Sequence, residues 1–96
     1  MWARVARFEG DPADVNARLE RLRSALDAGA FASELADTKL LMLVDRESGG
    51  MIGVTLFDSE EAMRRGDEAL NNMTPGASER RTSVEFFEVP VETVTG

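Results

Sequence analysis

A chain of 96 residues has room for one domain, and a domain of this size buries only about 60 to 65% of the surface that its unfolded chain exposes. The chain has no cysteine, which excludes disulfides and thiolate chemistry, and no histidine, so it lacks the commonest general base and metal ligand. A formal net charge of −7 disfavours nucleic acid and anionic membranes as partners, because like charges repel. We therefore interpret residues 1–96 as a single domain that binds neither.

The N-terminal segment does not resemble a targeting sequence. Arg4 and Arg7 interrupt residues 1–8, which leaves no continuous apolar core of the kind that a signal peptide needs. No stretch of the chain approaches the ~18 consecutive apolar residues of a transmembrane helix. We expect a cytoplasmic protein.

The first strand is predicted over residues 2–9, and a helix follows it. Asp11 is placed to cap this helix, with Pro12 at its first position, where a missing N–H does no harm. Gly29 is placed to end it. The helix carries one apolar stripe at helical spacing, formed by Val15, Leu19, Leu22 and Leu26. Three arginines are expected mostly off this stripe: Arg18, Arg21 and Arg23.

A β-hairpin is predicted over residues 38–58. Two apolar runs, Leu40 to Val44 and Met51 to Phe57, flank a polar turn at residues 45–50. Both runs are apolar at successive residues, so both faces of each strand require burial. Phe31 and Leu35 are expected to anchor the irregular segment before the hairpin.

A second helix and a fourth strand follow the hairpin. The helix is predicted to begin at Asp58 or Ser59, with Glu61 in capping-box spacing after Asp58, and to end at Pro75-Gly76. Its inward stripe comprises Met63, Gly66, Leu70 and Met73, and its outer face carries the ion pairs Glu60–Arg64 and Glu61–Arg65. The last strand is predicted over residues 81–91, at an edge that tolerates Pro90.

The order β-α-β-β-α-β predicts an α+β fold, a ferredoxin-like sandwich with an antiparallel four-stranded sheet in the order 4-1-3-2. Two helices can cover only one face of this sheet. The other face must carry either Leu40, Met42 and Val44 or Leu41 and Leu43, together with either Ile52, Val54 and Leu56 or Met51, Thr55 and Phe57. Exposing about five such side chains would forgo about 1.5 to 3 kcal/mol each. We therefore predict a homodimer in which a second copy covers this face.

Two local motifs carry a family resemblance: the hairpin turn Asp45-Arg46-Glu47-Ser48-Gly49 and the strand-to-helix segment Phe57-Asp58-Ser59-Glu60-Glu61-Ala62. Together with the element order, they resemble the antibiotic biosynthesis monooxygenase-like proteins of the dimeric α+β-barrel superfamily. The resemblance implies a homodimer whose sheets pack face to face into a barrel, with a pocket between each sheet and its helices. Some members oxidise aromatic polyketides without metal or flavin, and others degrade haem.

The chain departs from this family where activity is concerned. Phe57 stands where some members have tryptophan, Gly66 stands where many have histidine, and the first strand has no match for the asparagine of active monooxygenases. The missing histidine argues against haem degradation. We expect no metal, flavin, haem or other cofactor, and we predict no catalytic residue.

Trp2 and Arg4 form the strongest candidate site, on the face of the first strand that also carries Ala6 and Phe8. An arginine on a largely buried sheet face needs a carboxylate, a carbonyl or a ligand anion. One interpretation is an ion pair or dimer contact with Glu85 or Glu88. The other is that Arg4 and Trp2 bind the polar end and the ring of a small aromatic ligand. The ligand site would then comprise Trp2, Arg4, Phe57 and Phe86.

The functional prediction is a small homodimeric α+β-barrel protein that is non-catalytic or binds a small aromatic or apolar molecule. The alternative is a cofactor-independent monooxygenase acting on an aromatic, polyketide-like substrate, with a proton acceptor drawn from Asn71, Asn72, Arg4 or a buried carboxylate. The carboxylate pairs Glu60-Glu61 and Asp67-Glu68 are expected on solvated helix faces. A third hypothesis is an amino-acid-sensing regulatory domain, which normally comes attached to an enzyme.

Overall fold

The protein, here a computed structural model, is described for residues 1–29, 38–71 and 79–92. The described elements are, in chain order, β1 (Trp2–Gly10), a 3-10 turn (Pro12–Asp14), α1 (Val15–Asp27), β2 (Lys39–Val44), β3 (Met51–Phe57), α2 (Glu60–Asn71) and β4 (Glu79–Glu88). This is the predicted order. The predictions for Phe31, Leu35, Asn72, Met73 and the stop at Pro75-Gly76 lie outside the described residues.

The four strands form one antiparallel sheet in the order β2-β3-β1-β4, which is the predicted order read from the other edge. With its two helices the sheet makes the predicted ferredoxin-like α+β fold. β4 was predicted too far along the chain. Its last backbone hydrogen bond to β1 is donated by Val89 to the Met1 carbonyl, and Pro90 has no N–H with which to continue the ladder.

The register divides the sheet into a covered face, against which the helices pack, and an open face. On β3 the covered face carries Met51, Thr55 and Phe57, which are all buried. On β2 and β3 the open face is formed by the odd-numbered residues of β2 and the even-numbered residues of β3, namely Lys39, Leu41, Leu43, Ile52, Val54 and Leu56. The sequence left two alternating sets open on each strand, and the structure places the set with Leu41 and the set with Ile52 on the open face.

The start of α1 packs against the tip of the hairpin. Asp11 caps the turn before α1 by accepting a hydrogen bond from the Ala13 N–H at 2.9 Å, as predicted. Arg18 was predicted mostly off the apolar stripe but is buried, because it lies one turn after buried Val15 and donates to the Gly49 carbonyl at 2.6 Å. Gly49 has φ +83°, and a Cβ there would lie 2.2 Å from the Gly10 carbonyl oxygen, so only glycine permits this close approach.

The hairpin turn is held by one carboxylate. Asp45 Oδ1 accepts hydrogen bonds from the N–H groups of Ser48 at 3.3 Å and Glu47 at 3.0 Å. These bonds, with that from Ser48 the larger cause, lower the pKa of the Asp45 carboxyl below its ordinary value. The ionised side chain therefore stabilises the turn that sets the β2–β3 register.

α2 begins with a side-chain cap from Ser59, whose hydroxyl accepts a hydrogen bond from the Ala62 N–H at 3.1 Å. Of the two predicted starts, Ser59 is therefore the capping residue. The predicted i, i+4 pairs are present, with Arg64–Glu60 at 2.6 Å and Arg65–Glu61 at 2.9 Å. Within the described ranges, no helix has the length and hydropathy needed to span a bilayer.

Candidate functional site

Arg4 joins β1 to α2 through a closed hydrogen-bond network. Its side chain is 4% exposed, and its Nε donates to Asp67 Oδ1 at 2.7 Å. A terminal guanidinium nitrogen donates to Asn71 Oδ1 at 3.1 Å, and Asn71 Nδ2 donates to Asp67 Oδ2 at 3.2 Å. The three side chains form the Arg4–Asp67–Asn71 network, in which a carboxylate balances the buried guanidinium charge.

The carboxylate that pairs with Arg4 is not one of the two predicted. Arg4 points to the covered face, where α2 lies, whereas Glu85 is opposite Val5 on the open face and pairs with Arg7 at 3.3 Å. Glu88, the other predicted partner, lies opposite Trp2. A carboxylate on a helix that packs on the same face can be as close to Arg4 as one on the neighbouring strand, and Asp67 of α2 takes this position.

Asp67 was predicted on a solvated helix face, and this prediction is wrong. Asp67 follows buried Met63 by four residues and precedes Asn71 by four, so all three lie along one side of α2. Its side chain is 23% exposed and contacts Arg4. The four-residue spacing from Met63 was the feature of the sequence that could have indicated this position. Glu68, the next residue, is exposed as expected.

The four residues of the predicted ligand site all lie on the covered face. Trp2 is opposite Phe57 on β3, and Arg4 is opposite Phe86 on β4. Phe57 is only 1% exposed, which makes it a core residue with little surface for a ligand. Trp2 is half-buried, and Phe86 is 47% exposed. Trp2, Arg4 and Phe86 together are termed the Phe86 notch.

The Phe86 notch lies where the covered face of the sheet reaches the edge strand β4. The helix packs on β1 and β3, where the covered-face residues are buried. The edge strand beyond β1 is left partly uncovered, and Phe86 therefore exposes nearly half of a large apolar ring on the side of the sheet that the helices protect elsewhere. An exposed aromatic beside a buried, hydrogen-bonded arginine offers both apolar contact and polar donors.

A separate surface depression lies at the hairpin end of the sheet and contains none of the predicted site residues. Its volume is about 440 Å³, and its lining includes Arg7, Leu43, Asp45, Ile52 and Thr82. Most of these residues belong to the open face or to the hairpin turn. The site predicted from sequence and this depression are therefore on different parts of the molecule.

The chain offers few groups for covalent chemistry. Histidine and cysteine are absent from the sequence, and the described residues contain no group of three acidic side chains arranged to hold a metal ion. Among the described groups that line or adjoin the Phe86 notch, the carboxylates of Asp67, on Arg4, and Glu88, opposite Trp2, can accept a proton.

Comparison with known proteins bears on the fold. Neither a family model nor a curated protein sequence matches this chain. Solved structures do match. An antibiotic biosynthesis monooxygenase superposes with a TM-score of 0.61 at 13% identity, over 93% of this chain and 98% of that one. This chain shares the fold of the antibiotic biosynthesis monooxygenase-like proteins.

Two further structures agree with this assignment of the fold. A dimeric ferredoxin-like protein from an uncultured marine organism matches with a TM-score of 0.64 at 11% identity, over 99% of this chain and 100% of that one. The Rv0793 protein of Mycobacterium tuberculosis matches with a TM-score of 0.56 at 18% identity, over 98% of both chains. The predicted resemblance is confirmed for the fold, and identities this low transfer no residue's role.

Proposed function

We propose that this protein is a homodimer that binds a small aromatic molecule in the Phe86 notch without a catalytic step. The observation that carries the proposal is the 47% exposure of Phe86 directly across from Arg4, on the face that the helices otherwise cover. A planar ligand would stack on the Phe86 ring and contact Trp2.

The Arg4–Asp67–Asn71 network favours a neutral polar group on this ligand. Of the five N–H donors of a guanidinium, bonds within the described residues use two on Arg4. The Arg4 side chain is 4% exposed, and our proposal requires that one of its remaining N–H groups donate to a ligand hydroxyl or carbonyl oxygen at the edge of the notch. A ligand carboxylate would bring a second negative charge next to Asp67, which costs free energy at this partly buried position. Phenols and aryl ketones should therefore bind better than aromatic acids.

The ligand prediction is tested with two neighbouring phenylalanines that have the same exposure. Phe86 and Phe87 are both 47% exposed, but Phe87 lies on the open face, opposite Ala3. We expect 2-naphthol to raise the melting temperature of the wild-type protein and of Phe87→Ala, and to leave that of Phe86→Ala unchanged. Equal responses from the two variants would remove the notch from consideration.

The dimer is proposed on the open face. Leu43 is 52% exposed there, and Leu41 and Phe87 expose nearly as much of their apolar surface. A contiguous apolar surface on a small chain indicates a protein interface, and one neighbour of the same fold is described as dimeric. Leu43→Asp should halve the mass measured by light scattering. Ser24→Asp, at an exposed position on α1, adds the same charge and should leave the mass unchanged.

A cofactor-independent monooxygenase is the second candidate, and the position of Asp67 favours it. The carboxylate adjoins the Phe86 notch and could take a proton from an electron-rich phenol. The resulting anion would reduce O₂ and become a quinone: one oxygen atom enters the substrate, the other leaves as water, and the substrate supplies all four electrons. Oxygen uptake with 1,8-dihydroxynaphthalene should then be lost in Asp67→Asn. Uptake equal to that of a buffer blank would exclude this activity for the compound class.

A further inference from the structure

The two edges of the sheet are built differently. β4 carries charges along its length, pairs with β1 through a register shift at Arg7/Phe8, and is followed by Pro90. Charges, irregular pairing and proline are the features that keep an edge strand from joining another sheet. β2, at the opposite edge, carries a charge only at its first residue, Lys39, and its other five residues are apolar; it has no proline and no register shift. Within the described part of the chain no strand pairs with the outer side of β2, so its backbone groups there can serve as a template for another strand.

Antiparallel pairing of β2 with its own copy allows few registers. In an antiparallel pair, two residues that face each other either both direct their N–H and C=O groups toward the other strand or both direct them away from it. These groups alternate along a strand, so odd residues must face odd residues and even residues must face even ones. Because side chains alternate between the two faces in the same way, this pairing also places open-face side chains of one copy next to open-face side chains of the other.

One of these registers uses the whole strand and matches its charges. When Met42 faces the partner's Met42, Leu41 faces the partner's Leu43 and Leu40 faces the partner's Val44. Lys39 then faces the partner's Asp45 at each end of the paired strands. Both charged residues are exposed in the single chain, so each is accessible to a partner. Opposite charges placed directly across two strands stabilise their pairing.

We propose that β2 pairs antiparallel with β2 of a second copy in the register centred on Met42. The pairing joins two four-stranded sheets into one of eight strands. It uses a sheet edge, whereas the homodimer of the proposed function uses the open face. The two contacts do not depend on each other, and both together give an assembly of four chains.

Single cysteines test the register, since the chain has none of its own. In Met42→Cys the two Cα atoms would be about 4.5 to 5.5 Å apart, within the range for a disulfide. In Leu40→Cys, at a similarly half-buried position on the same face, they would be offset by four residues, or about 13 Å. Mild oxidation should give a covalent dimer of Met42→Cys and leave Leu40→Cys monomeric on a non-reducing gel. Equal yields, or no covalent dimer from either, would overturn the proposal.

Charge reversal at Lys39 provides the second test. Lys39→Glu replaces an attraction with a repulsion at both ends of the paired strands and should weaken this association about tenfold. Sedimentation should show four chains for the wild type and two for Lys39→Glu, and the disulfide yield of Met42→Cys should fall when Lys39→Glu is added. An unchanged yield would contradict the register. If the open-face dimer alone is wrong, Phe87→Asp, on the open face but outside β2, leaves the mass unchanged while Met42→Cys still forms its disulfide.

Discussion

The covered and open faces of the sheet are made from similar residues, yet they behave differently. On β3, Phe57 is 1% exposed on the covered face, while its neighbours on the open face, Ile52, Val54 and Leu56, remain partly exposed. On β2, Leu43 is 52% exposed. The difference comes from what packs against each face, because every strand alternates its side chains between the two. Burial in this protein is therefore set by the layer above a residue more than by the residue type.

On β4 the two faces do not differ in exposure. Phe86 belongs to the covered face and Phe87 to the open face, but the two are equally exposed. The covered face is thus closed over β1 and β3 and open over β4. A single sheet therefore provides a sealed core, a notch and an apolar face.

Truncation of Phe57 should have the largest effect and would measure the difference between the faces. Phe57→Ala removes a buried ring from the core and should lower the free energy of unfolding by about 3 to 5 kcal/mol. Leu43→Ala, on the open face, should cost about 1 kcal/mol or less in the monomer. Urea denaturation at protein concentrations below the dimer dissociation constant measures both values. Losses of equal size would mean that the open face is already buried within one chain.

Two ion pairs provide a smaller contrast between the faces. Asp67→Ala leaves the Arg4 guanidinium buried without its carboxylate, and since Asp67 is partly exposed we expect a loss of about 2 kcal/mol, below the 3 to 5 kcal/mol of a fully buried pair. Glu85→Ala breaks the exposed pair with Arg7 and should cost about 0.2 to 1 kcal/mol. Urea denaturation of both variants tests this order. A larger loss for Glu85→Ala would show that the open-face pair carries the greater weight.

The smallest effect should come from the turn that keeps β2 and β3 in register. Hydrogen bonds from the Ser48 and Glu47 N–H groups lower the pKa of Asp45, so its ionised form stabilises the folded state. This contribution is present above about pH 4, where an unfolded aspartate is ionised, and is lost as the pH falls through the lower pKa of the folded state. Wild type should exceed Asp45→Asn in melting temperature at pH 6, and the gap should close in acid. A gap that is constant with pH would contradict the assignment.

Much of the fold could be predicted from the sequence because its signals are local. The element order, the bounds of β3 and the position of Gly49 in the turn all follow from apolar runs interrupted by polar turn residues. The choice of open-face residues could not be predicted. Both alternating sets on β2 are apolar, so the sequence contains no pattern that distinguishes them, and only helix packing decides.

The candidate site could be predicted in part. Trp2, Arg4 and Phe86 do lie together, because β1 and β4 are adjacent in the predicted strand order. The partners of Arg4 were missed because Asp67 is far along the chain and the placement of α2 over β1 is a tertiary property. The burial of Arg18 was missed for the same reason. Its hydrogen-bond acceptor, the Gly49 carbonyl at the hairpin tip, is far along the chain, so no local pattern around Arg18 indicates it.

Trp2 gives the molecule an optical probe. It is the sole tryptophan of a chain without tyrosine, so emission excited near 295 nm arises from one position. That position is half-buried at the start of β1, beside Phe57 and across from β4. Changes in its emission wavelength report the polarity at the notch directly, without any label.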